Sequence, residues 1–178
     1  TGKNGGIDTI TFNTVNARYV RMQGVKRGLP YGYSLWEMEV YATVKETAEY
    51  GVVSKGKTAS TSGAETDAMT AANAFDGDEG TRWSSNFADD AWISVDLGKT
   101  YAIDKVVLNW EGAYGESYKI QTSTDGKNWT TAKDVTGKNG GIDTITFNTV
   151  NARYVKMQGV KRGLPYGYSL WEMQVYGK

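Results

Sequence analysis

Apolar and polar positions alternate with a period of two through most of the second half of the chain. Ile93, Val95 and Leu97 alternate with Ser94 and Asp96. Val106, Leu108 and Trp110 alternate with Val107, Asn109 and Glu111, and Tyr118, Ile120 and Thr122 with Lys119 and Gln121. A period of two puts every second side chain on one face of a half-buried strand. The same reading predicts short strands at Trp129–Lys133, Ile142–Phe147, Arg153–Gln158 and Leu170–Tyr176. Turn residues separate them: Asp125-Gly126, Asn139-Gly140-Gly141, Asn148 and Gly163–Gly167. No amphipathic helix exceeds two turns, and Thr70–Phe75 reads as one short helical turn before Asp76-Gly77. Many short alternating strands between Gly/Asn turns predict an all-β antiparallel sandwich or jelly roll.

The pattern also repeats. Residues 136–176 match residues 1–41 at a constant offset of 135, with only Arg21/Lys156 and Glu39/Gln174 different. That offset is too long for a solenoid unit of ~20–50 residues and suits one globular module. Residues 1–43 therefore read as the C-terminal fragment of a preceding module, 44–50 as a linker region and 46–178 as a complete sister module. The N-terminal copy carries strand residues without the strands they pair with. Val20, Leu35, Trp36 and Val40 are expected to be bare, so self-association through this half module is expected.

Composition narrows the chemistry. There is no cysteine and no histidine. That removes thiol nucleophiles, Cys/His zinc sites and every His-based triad. Lys plus Arg equals Asp plus Glu at 20 each, and no basic block occurs. A nucleic-acid surface needs concentrated positive charge, so no nucleic-acid partner is expected. No run of apolar residues approaches a membrane span, and no membrane partner is expected. The 6 Trp and 12 Tyr suit both a sandwich core and flat binding platforms.

Five segments, in order, carry a resemblance. They are Ala71–Ser85 (AANAFDGDEGTRWSS), Ala91–Glu111, Tyr118–Thr130, Ala152–Gly159 and Gly167–Gly177 (GYSLWEMQVYG). Together they resemble the discoidin (coagulation factor type C) domain, and within it the bacterial family 32 carbohydrate-binding modules. The resemblance implies an eight-stranded β-sandwich with binding loops at one end. It implies a secreted, extracellular binding module attached to a glycoside hydrolase, not an enzyme. The tandem arrangement and the loop residues look most like paired chitosan-binding modules.

The resemblance also implies sites. Carried over residue by residue, it gives a structural calcium ion held by the carbonyls of Asn73, Asp78 and Trp171, the carboxylates of Asp76 and Glu172, and Thr81. A plain Asp-Gly turn with solvated acids is the alternative for this loop. The 12-residue spacing of an EF-hand is missing. The family's binding loops place Glu65, Arg82, Phe87, Glu111, Tyr166 and Tyr168 near one another. Two carboxylates suit an ammonium more than a neutral hydroxyl, so chitosan is the favoured ligand over β-1,3-glucan or galactosides. Arg82 would serve ring hydroxyls or hold one Glu, and an aromatic would cover the ring face. Trp83, Trp92, Trp129 and Trp171 read as packing residues, as do Tyr154 and Tyr176, while Trp110 neighbours Glu111 and is ambiguous. A glycosidase would need two carboxylates about 5–9.5 Å apart across a cleft, which a small sandwich does not offer. A protein-adhesion module would need protruding apolar loop tips, and the loops here are short and polar.

Overall fold

The computed structural model describes residues 5–15, 17–42 and 49–178. It separates into two compact units, 1–46 and 47–178. The second unit is built from eight strands and one short 3-10 helix. The strands are β1 (Gly51–Val52), β2 (Thr58–Thr61), β3 (Trp83–Ser84), β4 (Trp92–Trp110), β5 (Gly115–Ser123), β6 (Thr130–Val135), β7 (Ile142–Arg162) and β8 (Ser169–Gly177). The 3-10 helix, Ala71–Phe75, falls where one helical turn is predicted.

All pairings are antiparallel, in the order β1-β8-β4-β7-β5-β6, with β2 on β4 and β3 on β8. Two strands are much longer than the pattern predicts. The alternations at 93–97 and 106–110 are two arms of one strand, β4, and those at 142–147 and 153–158 are two arms of β7. The first arm of β4 pairs with β2 and with the second arm of β7. Its second arm pairs with β8 and with the first arm of β7. Each strand thus belongs to both layers, and the corner is cut by register shifts between Asp96 and Tyr101 and between Ile103 and Lys105. Bulges of this kind bend a strand and sharpen its twist. Asn148, predicted as a turn, lies inside β7 instead, because the bend is absorbed without ending the strand.

The inward positions fill one core. Ile93, Val95 and Leu97 meet Val106 and Leu108, Ile120, Val155 and Met157, Leu170, Met173 and Val175, all essentially sealed from solvent. Each such side chain contributes about 1.5–3 kcal/mol by burial. Trp83 and Trp110 belong to this core. Trp92 and Trp129 do not; they are half-buried, with the Lys156 ammonium 4.3 Å from the Trp129 ring and 5.9 Å from that of Trp92. Tyr154, also half-buried, meets the Trp129 ring edge-on.

The topology positions the loops. Both ends of β4 and both ends of β7 reach one rim: Asn109 pairs with Ile142, and Gly159 N–H donates to the Ala91 carbonyl at 2.9 Å. The chain enters and leaves at the other end, where Gly51 pairs with Gly177. Tyr50 is fixed there by its hydroxyl, 2.6 Å from Asp104 Oδ1, an interaction that pushes the phenol up to about 12. At the same corner Arg153 forks onto both Asp96 oxygens at 2.7 Å and lowers that carboxyl to about 2.

The first unit forms no strand among its described residues. The last three strands of a preceding module, expected at 1–43, are therefore not in place, and most of the predicted linker lies outside the described residues. Identical residues meet opposite fates. Leu35 is 60% exposed and its counterpart Leu170 is 0% exposed. Ile10, Val20, Met22, Met38 and Val40 are exposed, whereas Ile145, Val155, Met157, Met173 and Val175 are core. Sequence alone does not decide burial here; the presence of β4 and β5 does.

Candidate glycan site and cation loop at the sandwich rim

Three of the predicted binding residues converge on one pair of serines. Ser84 in β3 stands opposite Ser169 in β8, and both are buried. Ser84 Oγ donates to Glu65 Oε2 at 2.7 Å, and its carbonyl accepts the Glu65 N–H at 2.8 Å. Arg82 Nη1 donates to Ser169 Oγ at 2.7 Å. The Ser169 carbonyl accepts the Glu111 N–H at 3.0 Å, and its own N–H donates to Ala113 at 2.8 Å. Glu65, Arg82 and Glu111 are thus fixed around one two-residue ladder. No ion pair involves any of the three among the described residues. Glu65 is exposed, and Arg82 and Glu111 are half-buried.

Ser84 and Ser169 were not singled out from sequence. A serine beside an aromatic at a strand start is too common to carry a signal; only the cross-strand register reveals it.

Phe87 and Tyr166 are 57% and 62% exposed, so both offer a ring face to solvent. Their loops touch. A Cβ on Gly167 would lie 2.2 Å from the Ser85 carbonyl, so the β7–β8 loop rests directly on the loop after β3. Tyr168 is a correction. It is 0% exposed, its ring packs 6.3 Å from Trp110, and its hydroxyl donates to the Asp89 carbonyl at 2.7 Å. Gly115 and Gly159 leave the room its ring fills. Burial, with the nearby Asp89 charge, raises its phenol. Tyr168 therefore builds the floor under the rim and has no face to offer a ligand.

Behind Glu111, the buried Asp143 carboxylate accepts Trp110 Nε1 at 2.9 Å and the Tyr118 hydroxyl at 2.6 Å, and pairs with Lys138 Nζ at 2.7 Å. This sets the strand end from which Glu111 projects.

The acidic loop lies beside this rim. Asp76 Oδ2 accepts the Thr81 hydroxyl at 2.7 Å, and the same hydroxyl lies 3.2 Å from the Asp78 carbonyl. Gly77 N–H donates to Glu172 Oε1 at 2.7 Å, linking the loop to β8. Gly77 has φ +79°, a backbone conformation that favours glycine; a Cβ there would meet only the flexible end of Lys55. Trp171 is the extra residue of a bulge: Asn109 pairs with Glu172 and Trp110 with Leu170. Asn73 staples the loop by donating from Nδ2 to the carbonyls of Ala68 and Arg82, at 2.9 and 3.0 Å. Glu172 is buried, and burial, then the facing Asp76 carboxylate, raises its carboxyl above the usual range. Among the described residues no group of three or more acid side chains is assembled. Two carboxylates, a hydroxyl and the Asp78 carbonyl are.

A hollow lies elsewhere on the second unit. It measures about 440 Å³ and lies between β6 and β7, lined by Ala132, Lys133, Thr146, Phe147 and Asn148. It holds no acid.

Comparisons with known proteins follow the same lines. Residues 56–173 match the model of the F5/8 type C domain. The solved chitosan-binding module 1 of a chitosanase/glucanase from Paenibacillus sp. IK-5 is 47% identical. The match covers 71% of this chain and 99% of that one, with a TM-score of 0.69. Module 2 of the same enzyme, solved in complex with chitotriose, is 43% identical over 70% of this chain and 99% of its own, also at 0.69. A family 32 module from C. perfringens NanJ, solved with galactose, shares the fold at 23% identity and a TM-score of 0.64, over 72% of this chain and 99% of its own. Among curated proteins, the polysaccharide lyase 8 family protein HylA of Enterococcus faecalis is 44% identical over 92 residues. That is 49% of this chain and 7% of HylA's length. The fold is that of carbohydrate-binding modules, and the chain belongs to the F5/8 type C, or discoidin, domain family.

Proposed function

We propose that the chain is a non-catalytic binding module for chitosan or glucosamine oligosaccharides. The observation that carries this reading is the convergence of Glu65, Arg82 and Glu111 on the Ser84–Ser169 pair. Two carboxylates without a cationic partner present acceptors to an ammonium, and Arg82 is left to fork onto ring hydroxyls. Phe87 and Tyr166 supply apolar faces for the C–H side of the ring. A sugar hydroxyl can also donate to these carboxylates, but only an ammonium adds the attraction of opposite charges to the hydrogen bond, which a neutral glucan or galactoside lacks. The likeness to two chitosan-binding modules at 43% and 47% identity supports the same ligand class. We place the module outside the cell, attached to a polysaccharide-degrading enzyme, in line with the lyase relative of which it matches a small part. The likeness to binding modules supports a non-catalytic role for the module itself. The test is titration with glucosamine oligomers, laminarin oligomers and galactosides. Glucosamine oligomers are expected to bind, and equal binding of all three would overturn the reading.

In this reading Asp76, Thr81, Glu172 and the carbonyls of Asn73, Asp78 and Trp171 hold a structural calcium ion. A hard cation takes about 6–8 oxygens, many from carbonyls, and this donor set is of that kind. Supporting it, the buried Glu172 faces Asp76 and forms no ion pair among the described residues. The ion would supply the missing positive charge and brace β8 against the loop.

The proposal extends to the first unit. The chain holds two near-identical copies of the β7–β8 sequence and one set of β4 and β5 partners. Within these 178 residues the two copies compete for that one set of partners, and the copy left over exposes its apolar side chains. We expect it to meet its counterpart on a second copy. Light scattering should show concentration-dependent association of the 178-residue chain and a monomer for a version starting at Glu46. Two strict monomers of equal stability would contradict this.

A further inference from the structure

The two exposed aromatics of the rim sit on separate loops, and one side chain ties those loops together. Arg162 ends β7. Its Nε donates to Asp89 Oδ1 at 2.8 Å, and its backbone N–H reaches the same oxygen at 3.1 Å. Its Nη1 lies 3.4 Å from the Pro165 carbonyl and 3.2 Å from that of Tyr166. Asp89 lies two residues beyond Phe87, and its own carbonyl accepts the Tyr168 hydroxyl. The guanidinium therefore joins the Phe87 loop to the Tyr166 loop directly. Bonding to Arg162 also holds the Asp89 carboxyl below the usual range.

The same loop occurs a second time without the sandwich. In the N-terminal copy, Arg27 Nη1 donates to Pro30 at 3.2 Å and lies 3.4 Å from the Tyr31 carbonyl. Those are the positions equivalent to Arg162, Pro165 and Tyr166, in a unit that has no strand among its described residues. The Arg-Gly-Leu-Pro-Tyr segment thus folds its own loop locally, helped by the fixed φ of proline. What the whole module adds is Asp89. It also adds Tyr114, whose ring would lie 2.1 Å from a Cβ on Gly163 and whose carbonyl accepts the Gly163 N–H at 2.9 Å.

We propose that Arg162, clasped to Asp89, is the positioning residue that sets the spacing of Phe87 and Tyr166 as a preformed sugar clamp. This rests on the glycan-binding reading above. A ring held between fixed faces binds without first ordering two loops, which is where preorganisation gains affinity. Lysine cannot replace arginine here. An ammonium can pair with Asp89, but it lacks the planar fork that reaches two carbonyls and a carboxylate together.

The experiment is calorimetric titration of the glucosamine trimer into wild type, Arg162→Lys, Asp89→Asn, Phe87→Ala/Tyr166→Ala and the combination of Arg162→Lys with that double variant. Thermal melts check folding of each. Arg162→Lys and Asp89→Asn are each expected to raise Kd about fivefold or more. In the variant lacking both aromatics, Arg162→Lys is expected to change Kd less than twofold. The same fivefold loss with and without the aromatics would overturn the proposal, because Arg162 would then act elsewhere. So would wild-type affinity in both Arg162→Lys and Asp89→Asn. Unchanged affinity on removing both aromatics would overturn the aromatic clamp itself. That failure is distinct from an independent Arg162 effect, in which the aromatics still matter.

Discussion

Glu111→Gln should weaken binding of glucosamine oligomers about five- to tenfold, with the fold intact. The substitution keeps size and shape and removes one charge. The ammonium still donates to the amide oxygen, but the attraction between opposite charges is gone, and the loss expected is about 1–1.4 kcal/mol. The Glu111 backbone, which bonds Ser169, is untouched by the change. Its side chain makes one long contact, 3.4 Å from the Ala113 N–H, so little structure is lost. Calorimetry gives the affinity and a thermal melt the stability. A fall in stability that matches the fall in affinity would make Glu111 a structural residue. Glu65→Gln is the weaker test, because Glu65 Oε2 already accepts the Ser84 hydroxyl and its replacement disturbs that bond.

Chelation should lower the melting temperature on the order of 10 °C. An ion that binds only the folded state at 100 times its Kd contributes about 2.7 kcal/mol. For a module of this size each kcal/mol moves Tm by roughly 3–5 °C. The effect arises at Glu172 and Asp76, two facing carboxylates, one of them buried. Without a cation they repel, and only the bond from the Gly77 N–H to Glu172 ties β8 to the acidic loop. Calcium should restore Tm, and magnesium should do so poorly because it demands a tight octahedron. Differential scanning fluorimetry with EDTA, then with each ion, reads this out. No shift on chelation of the calcium-loaded protein would refute the ion.

Much of this module was legible in its sequence, for a physical reason. Alternation at 93–97, 106–110 and 118–122 marks strands with one buried face, and those strands formed. Glycine turns at 126 and 140–141 also formed, with positive φ at each. What was not legible is where a strand bends without ending. Gly98 has φ +83° and stands at the corner of β4, yet the ladder resumes beyond it. A local reading sees two strands; the two-layer fold needs one. The misplaced Asn148 turn in β7 has the same origin.

The candidate binding residues divide along a similar line. Glu65, Arg82 and Glu111 are charged residues on loops, and the structure gathers them at the rim. Tyr166 and Tyr168 look equivalent in sequence, one on each side of Gly167. The difference lies in Gly115 and Gly159, distant in sequence, which open space for the Tyr168 ring alone. Arg162, Asp89, Ser84 and Ser169 carry the site's geometry through bonds spanning 19 to 87 positions. No local motif announces such pairs.

The central claim is that the rim recognises an amine. It is tested most directly by calorimetric titration of one trimer in two forms, glucosamine and N-acetylglucosamine, at neutral pH and the same ionic strength. Acetylation removes the positive charge and leaves the ring face and hydroxyls in place. The deacetylated trimer should bind at least tenfold more tightly, about 1.4 kcal/mol, since only its ammonium can pair with the Glu65 and Glu111 carboxylates. Equal affinity for the two forms would contradict the account, because Glu65 and Glu111 would then be reading something other than an ammonium.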